Sequence, residues 1–171
     1  MKKAIYIFIF FISQYFFGQQ SNQLWKGYFS YNEIVDVESS TNAVFASTQN
    51  ALFSQVVASS NLNVYNSITG LKPDVITTIH HSDAFNKTFV GNNNGLILIQ
   101  NADGSVTTKV DVIEEVPVPP NKKKINDFFE FNGRLYIATD YGISVIDIAT
   151  SEFISTYFIG TSGEETEVLQ T

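Results

Sequence analysis

The sequence predicts an all-β chain made of three successive four-stranded antiparallel units. Three observations carry that expectation. A ten-residue block occurs three times without a gap, at Val44–Phe53, Thr88–Ile97 and Leu135–Ser144. Alternating apolar segments flank every copy, and no stretch after residue 24 sustains a 3.6-residue period for three turns. Aromatic residues make up 14% of the chain, with 15 Phe and 8 Tyr, a composition that leans toward strands.

Within the block the columns repeat by chemical type. An aromatic recurs as Phe45, Phe89 and Tyr136, and a small residue as Ser47, Gly91 and Ala138. A short polar residue recurs as Thr48, Asn92 and Thr139, and an aliphatic as Leu52, Leu96 and Ile143. The aromatic and the aliphatic are expected on strands either side of a tight turn. Gly95 and Gly142 would supply positive φ in that turn. Ala51 holds the same column, so the first turn must differ or be strained. The small residue suits a place where a neighbouring backbone packs close.

Each unit has an upstream strand: 34–38, 75–79 and 125–129. Each also has a downstream fourth strand: 62–66, 106–113 and 153–159. Thr69-Gly70, Asp103-Gly104 and Asn132-Gly133 supply the breakers between strands. Four strands per repeat of this length is the pattern of a β-propeller blade. A β-sandwich with similar hairpins is the other reading. The blades are placed at about 30–68, 69–113 and 122–160, with 161–171 starting a next one. Propellers close with about four to eight blades, so the expectation is an incomplete propeller, with apolar faces and strand edges open on blades one and three. The loop 114–124 carries three prolines and reads as a stiff, extended connection.

Residues 1–20 have the layout of a secretory signal peptide: Lys2 and Lys3, an apolar run from Ala4 to Ile12, then Gly18. The run is short for a bilayer span, although a short membrane anchor is the other reading. The rest, 21–171, is the partial propeller. The expected location is exported: periplasmic, outer-membrane-associated or at the cell surface.

Composition narrows the chemistry. The formal net charge is −7 and, beyond the short run Lys122–Lys124, basic residues are scattered, which argues against a nucleic-acid partner. With no Cys, disulfides, thiolate metal sites and cysteine nucleophiles are excluded. His80 and His81 are neighbours, so on a strand they point to opposite faces and chelate one metal poorly, even with Asp83 nearby. They read as a solvated strand end. Asp36, Glu38 and Asp111 read as single, solvent-facing carboxylates on alternating strands, not as an acid/base pair. Gly91–Gly95 lacks the Lys-Ser/Thr of a phosphate loop, and Gly160–Gly163 lacks the G-x-S-x-G order. Trp25, Tyr28, Phe29 and Tyr31 form an aromatic group expected to pack on the propeller, with a sugar-stacking platform as the alternative. Asn86-Lys87-Thr88 is formally a glycosylation sequon. No catalytic residue, ligand-binding residue, metal ligand or cofactor is assigned, and the chain reads as a non-enzyme.

The segment Thr69-Gly70-Leu71-Lys72-Pro73-Asp74-Val75-Ile-Thr-Thr-Ile79, with Phe89-Val-Gly-Asn-Asn-Asn-Gly-Leu96 after it, resembles the repeats of two-component-regulator-type propellers. The opening Leu24-Trp25-Lys26-Gly27-Tyr28-Phe29-Ser30-Tyr31-Asn32-Glu33-Ile34, together with Lys124–Phe128 and Leu135–Ile143, is more particular. It resembles the PorZ-like N-terminal propeller family of the type IX secretion system of Bacteroidetes, over residues 24–160. The resemblance implies a surface protein that works with other secretion components and helps supply anionic lipopolysaccharide to exported cargo. It also implies further blades and domains in a longer parent protein. The alternative is the periplasmic ligand-sensing propeller of a hybrid two-component sensor kinase.

Overall fold

The computed structural model describes residues 31, 33–72 and 74–159. The expected signal peptide, the segment 161–171, Trp25, Tyr28, Phe29 and Gly160–Gly163 lie outside them. The described residues form twelve strands in three four-stranded antiparallel sheets, with one turn of 3-10 helix at Pro120–Lys122. Blade one contains β1 (Asp36–Ser39), β2 (Ala43–Thr48), β3 (Ala51–Val56) and β4 (Leu62–Tyr65). Blade two contains β5 (Ile76–Ser82), β6 (Lys87–Asn92), β7 (Ile97–Gln100) and β8 (Val106–Lys109). Blade three contains β9 (Ile125–Phe131), β10 (Arg134–Thr139), β11 (Gly142–Asp147) and β12 (Phe153–Phe158). Within each sheet the strands lie in sequence order. This is an unclosed β-propeller, and the sandwich reading is set aside.

The first strands of successive blades lie side by side, β1 against β5 and β5 against β9, and they form the inner edge of the arc. Two cores fill the seams. Phe45 and Leu52 of blade one meet Ile76, Ile79, Val90 and Leu98 of blade two. Phe89, Ile97 and Ile99 of blade two meet Ile125, Phe128, Leu135 and Ile137 of blade three. Neighbours such as Phe89 and Val90 point into different seams, because successive side chains on a strand alternate in face. The middle blade is therefore apolar on both faces, and β6 and β7 are buried almost throughout.

The repeat columns acquire a direction. Phe45 and Phe89 each face the blade that follows. Tyr136 pairs across the sheet with Phe129 and Val145 on the corresponding face of blade three, where no described sheet follows. That face leaves Phe129 48%, Phe131 56% and Tyr157 57% exposed. At the other end, Val37, Val44 and Leu62 are exposed on blade one, and Tyr31 packs edge-on against Phe53, ring centroids 5.0 Å apart.

Several local expectations are corrected. The hairpins β2–β3 and β10–β11 close on the pairs Thr48–Ala51 and Thr139–Gly142 with two residues between. In blade two the last ladder pair is Gly91–Ile97, so the loop is wider and Leu96 sits in it, off the strand. Gly95 (φ 89°) and Gly142 (φ 148°) do take positive φ, whereas Ala51 does not, so the first turn differs and is not strained. At Gly91 the small residue meets side chains and not backbone: a Cβ there would stand 2.6 Å from Ile125 Cγ2 and 2.9 Å from Thr78 Cγ2.

The strand β8 ends at Lys109, because the chain turns there to bury Val112 in the second seam. The loop 114–124 is compact, not extended. Val118 enters the core, and buried Lys123 donates from Nζ to the Ile113 carbonyl.

Candidate functional site between the blades

The inner edge concentrates the ionisable groups. His80 on β5 is paired with carboxylates of both neighbouring blades. Its Nδ1 lies 3.3 Å from Glu38 Oε1 on β1, and its Nε2 lies 3.2 Å from Glu130 Oε2 on β9. The side chains of His80, Glu38 and Glu130 are 16%, 31% and 24% exposed respectively. One imidazole thus spans two seams, with a nitrogen for each carboxylate. Burial raises the Glu38 carboxyl above its ordinary value of 4.5, and attraction to His80 opposes that rise. Beside it, Asp36 Oδ2 accepts from the Thr78 hydroxyl at 2.9 Å and from the Ile79 amide at 2.8 Å. That carboxylate satisfies a backbone donor of β5 that the ladder leaves over.

These positions overturn the solvent-facing reading of Asp36 and Glu38. Both face blade two, since an inner strand packs against a neighbouring strand and not against water. Asp111 lies in the turn after β8, half-buried and off the strand. The two histidines do point apart, as period-two alternation requires, but neither is a solvated strand end.

His81 lies in the first seam with only 8% of its side chain exposed. It stacks on Phe45, with ring centroids 4.2 Å apart and planes 18° apart. Its Nδ1 is 2.9 Å from the Thr88 hydroxyl, and its Nε2 is 3.8 Å from Asp83 Oδ1. Burial lowers the His81 pKa below 6.5, against the pull of Asp83, so the ring is neutral at neutral pH. Asp83 Oδ2 reaches back to blade one, accepting from the Thr41 amide and hydroxyl at 2.9 Å each, which lowers its own pKa.

Above this stack, the turns of blades one and two enclose a cleft of about 440 Å³. Ser54 and Tyr65 line it from blade one and Asn86 and Gln100 from blade two, with Asp83 and His81 at its floor. In the second seam Lys87 Nζ donates to the Ile148 and Ala149 carbonyls and to Ser151 Oγ, at 2.7, 3.0 and 2.9 Å. The middle residue of the formal sequon is thus a tie between blades, and Asn86 itself occupies the hairpin turn at φ 48°. Among the described residues, no group of three or more His, Cys, Asp or Glu is arranged to hold a metal ion.

Sequence reasoning missed the clasp at His80 and the cleft beneath the turns. No signal in the repeat pointed to them: Glu38 and His80 come opposite Phe45 and Phe89 through strand pairing, at different distances along the chain.

Residues 44–171 match the family model described as the type IX secretion system PorZ N-terminal β-propeller domain. No curated protein matches the chain. Among solved structures, PorZ, a bacterial surface component of the type IX secretion system of Porphyromonas gingivalis, is 21% identical with a TM-score of 0.69. That match covers 78% of this chain and 18% of PorZ. The extracellular domain of a hybrid two component system of B. thetaiotaomicron is 19% identical, with a TM-score of 0.58, over 76% of this chain and 18% of that one. A streptogramin B lyase is 14% identical, with a TM-score of 0.59, over 75% of this chain and 41% of that one. At these identities the likenesses concern the fold alone. The chain spans less than a fifth of the length of the PorZ structure it matches.

Proposed function

We propose a scaffold role in type IX secretion for this chain, which belongs to the PorZ N-terminal β-propeller family. The family match over residues 44–171 carries the reading. In it, residues 1–20 are a signal peptide, the remainder is exported, and the blades act as a non-catalytic binding module at the cell surface. The module works with other secretion components in supplying anionic lipopolysaccharide to exported cargo. The exposed Phe129, Phe131 and Tyr157 support a further feature, that blade three takes another blade of a larger ring. The ionisable groups support the non-catalytic part: Glu38, Glu130, Asp36 and Asp83 are all engaged in ties between blades. No helix among the described residues is long and apolar enough to cross a membrane.

The test is an in-frame deletion in the bacterium that encodes the chain. The expected result is retention of type IX cargo in the cell and loss of its lipopolysaccharide modification. Normal cargo export and modification in the deletion strain would overturn the reading. The sensor reading comes second, supported by the likeness to the B. thetaiotaomicron extracellular domain. A membrane span and kinase domain encoded in the same reading frame would favour it.

A further inference from the structure

We propose that the cleft between the first two blades is a binding site for a neutral saccharide of one or two rings. The inference does not depend on the secretion role, because the cleft is built entirely from blades one and two. Its volume of about 440 Å³ lies within the range of small-ligand sites.

The lining decides the ligand class. Asn42, Asn86 and Gln100 line the cleft, and their side-chain amides make no hydrogen bond to another described residue. An amide presents a donor and an acceptor side by side, which matches adjacent hydroxyls that each donate and accept. Ser54 and Tyr65 line the same space, and their hydroxyls are likewise uncommitted among the described residues. Water satisfies these groups in the free protein, and a polyhydroxylated ligand replaces that water group for group. Tyr65 and exposed Val56 add an apolar wall for the C–H face of a sugar ring.

Charge excludes the nearest competitor. No Lys or Arg lines the cleft, and the one ionised group on it is the Asp83 carboxylate. An anionic sugar therefore meets repulsion and no cation to compensate. A peptide is disfavoured on other grounds. Most of the lining strand residues belong to β2, β3, β6 and β7, which are paired on both sides, so an extended backbone meets few open strand edges there. The floor is rigid: the Phe45–His81 stack and the Asp83–Thr41 hydrogen bonds hold the two walls at a fixed separation.

The experiment is a titration of the full chain with cellobiose, lactose, maltose and chitobiose, followed by amide and side-chain NMR. Digalacturonate and a neutral tetrapeptide serve as comparisons. The expected result is saturable shifts of the Asn42, Asn86 and Gln100 side-chain amides by at least one neutral disaccharide, at concentrations around 1 mM. Gln100→Ala and Asn42→Ala, both away from the core, should each weaken that binding about tenfold at an unchanged melting temperature. The proposal is overturned if none of the four sugars moves those amides, if digalacturonate or the peptide binds there more tightly, or if both variants bind as the unmodified chain does. The shift map on the unmodified chain stands even if a variant fails to fold.

Discussion

The Nδ1 atom of His80 stands 3.3 Å from Glu38 Oε1 across the seam between the first two blades. With Glu130 on the other ring nitrogen, a single side chain ties three blades together at their inner edge. Replacing it leaves two partly buried carboxylates without their partner. His80→Ala is expected to destabilise the chain by about 1–3 kcal/mol, and His80→Gln by less, because an amide can still donate to one carboxylate. Urea unfolding of the three proteins checks this, and an unchanged midpoint in the alanine variant would show that the clasp contributes nothing.

Gly91 makes the second seam close. Its missing side chain leaves room for Ile125 Cγ2, Thr78 Cγ2 and the Phe128 ring, all within 3.0 Å of where a Cβ would sit. Gly91→Ala should therefore cost about 1–3 kcal/mol through overpacking, even though alanine suits a strand better than glycine. Thermal melting distinguishes the two effects by sign: a raised melting temperature would mean that the seam relaxes freely.

His81 should make stability depend on pH. Its folded-state pKa is held below 6.5 by burial, so the unfolded chain binds the proton more readily. The contribution is complete above pH 6.5 and is lost as the pH falls through the lowered folded value. His81→Phe keeps the stack on Phe45 and removes the titration. Between about pH 7.5 and about pH 5, the unmodified chain should lose stability relative to H81F. Subtracting the two curves isolates His81 from the opposite trend at Glu38, whose raised pKa favours the folded state at lower pH. Parallel curves would contradict the assignment.

The open face of blade three should make the isolated chain self-associate. Phe129, Phe131 and Tyr157 expose about half of their surface each, on one sheet. Sedimentation of the full chain should show concentration-dependent association. The double variant Phe131→Lys, Tyr157→Lys should remain monomeric over the same range, since a charged face resists burial. Equal association of both proteins would place the contact elsewhere.

Much of the architecture was legible because repetition is a one-dimensional signal. The block holding Phe45, Phe89 and Tyr136 announced three equivalent hairpins, and period-two alternation set the faces of His80 and His81. Strand ends were less legible. The stretch from Val106 to Ile113 reads as one alternating strand, yet Val112 is drawn into a seam by contacts with residues far along the chain, and the ladder stops at Lys109. The three prolines of 114–124 promised extension, but burial of Val118 and Lys123 folds the loop into the second seam.

The amino-acid sequence alone determined the unit: four short strands, a hairpin closed by small or turn-forming residues, and an aromatic at a fixed column. Those features follow from local backbone preference and side-chain alternation, which act over a few residues. Only the tertiary structure decided what meets across the seams. Glu38, His80 and Glu130 are separated by dozens of residues, and so are Asn42 and Gln100. Their meeting depends on how each sheet stacks on the next, a geometry set by the packed volume of both cores together and by no single segment.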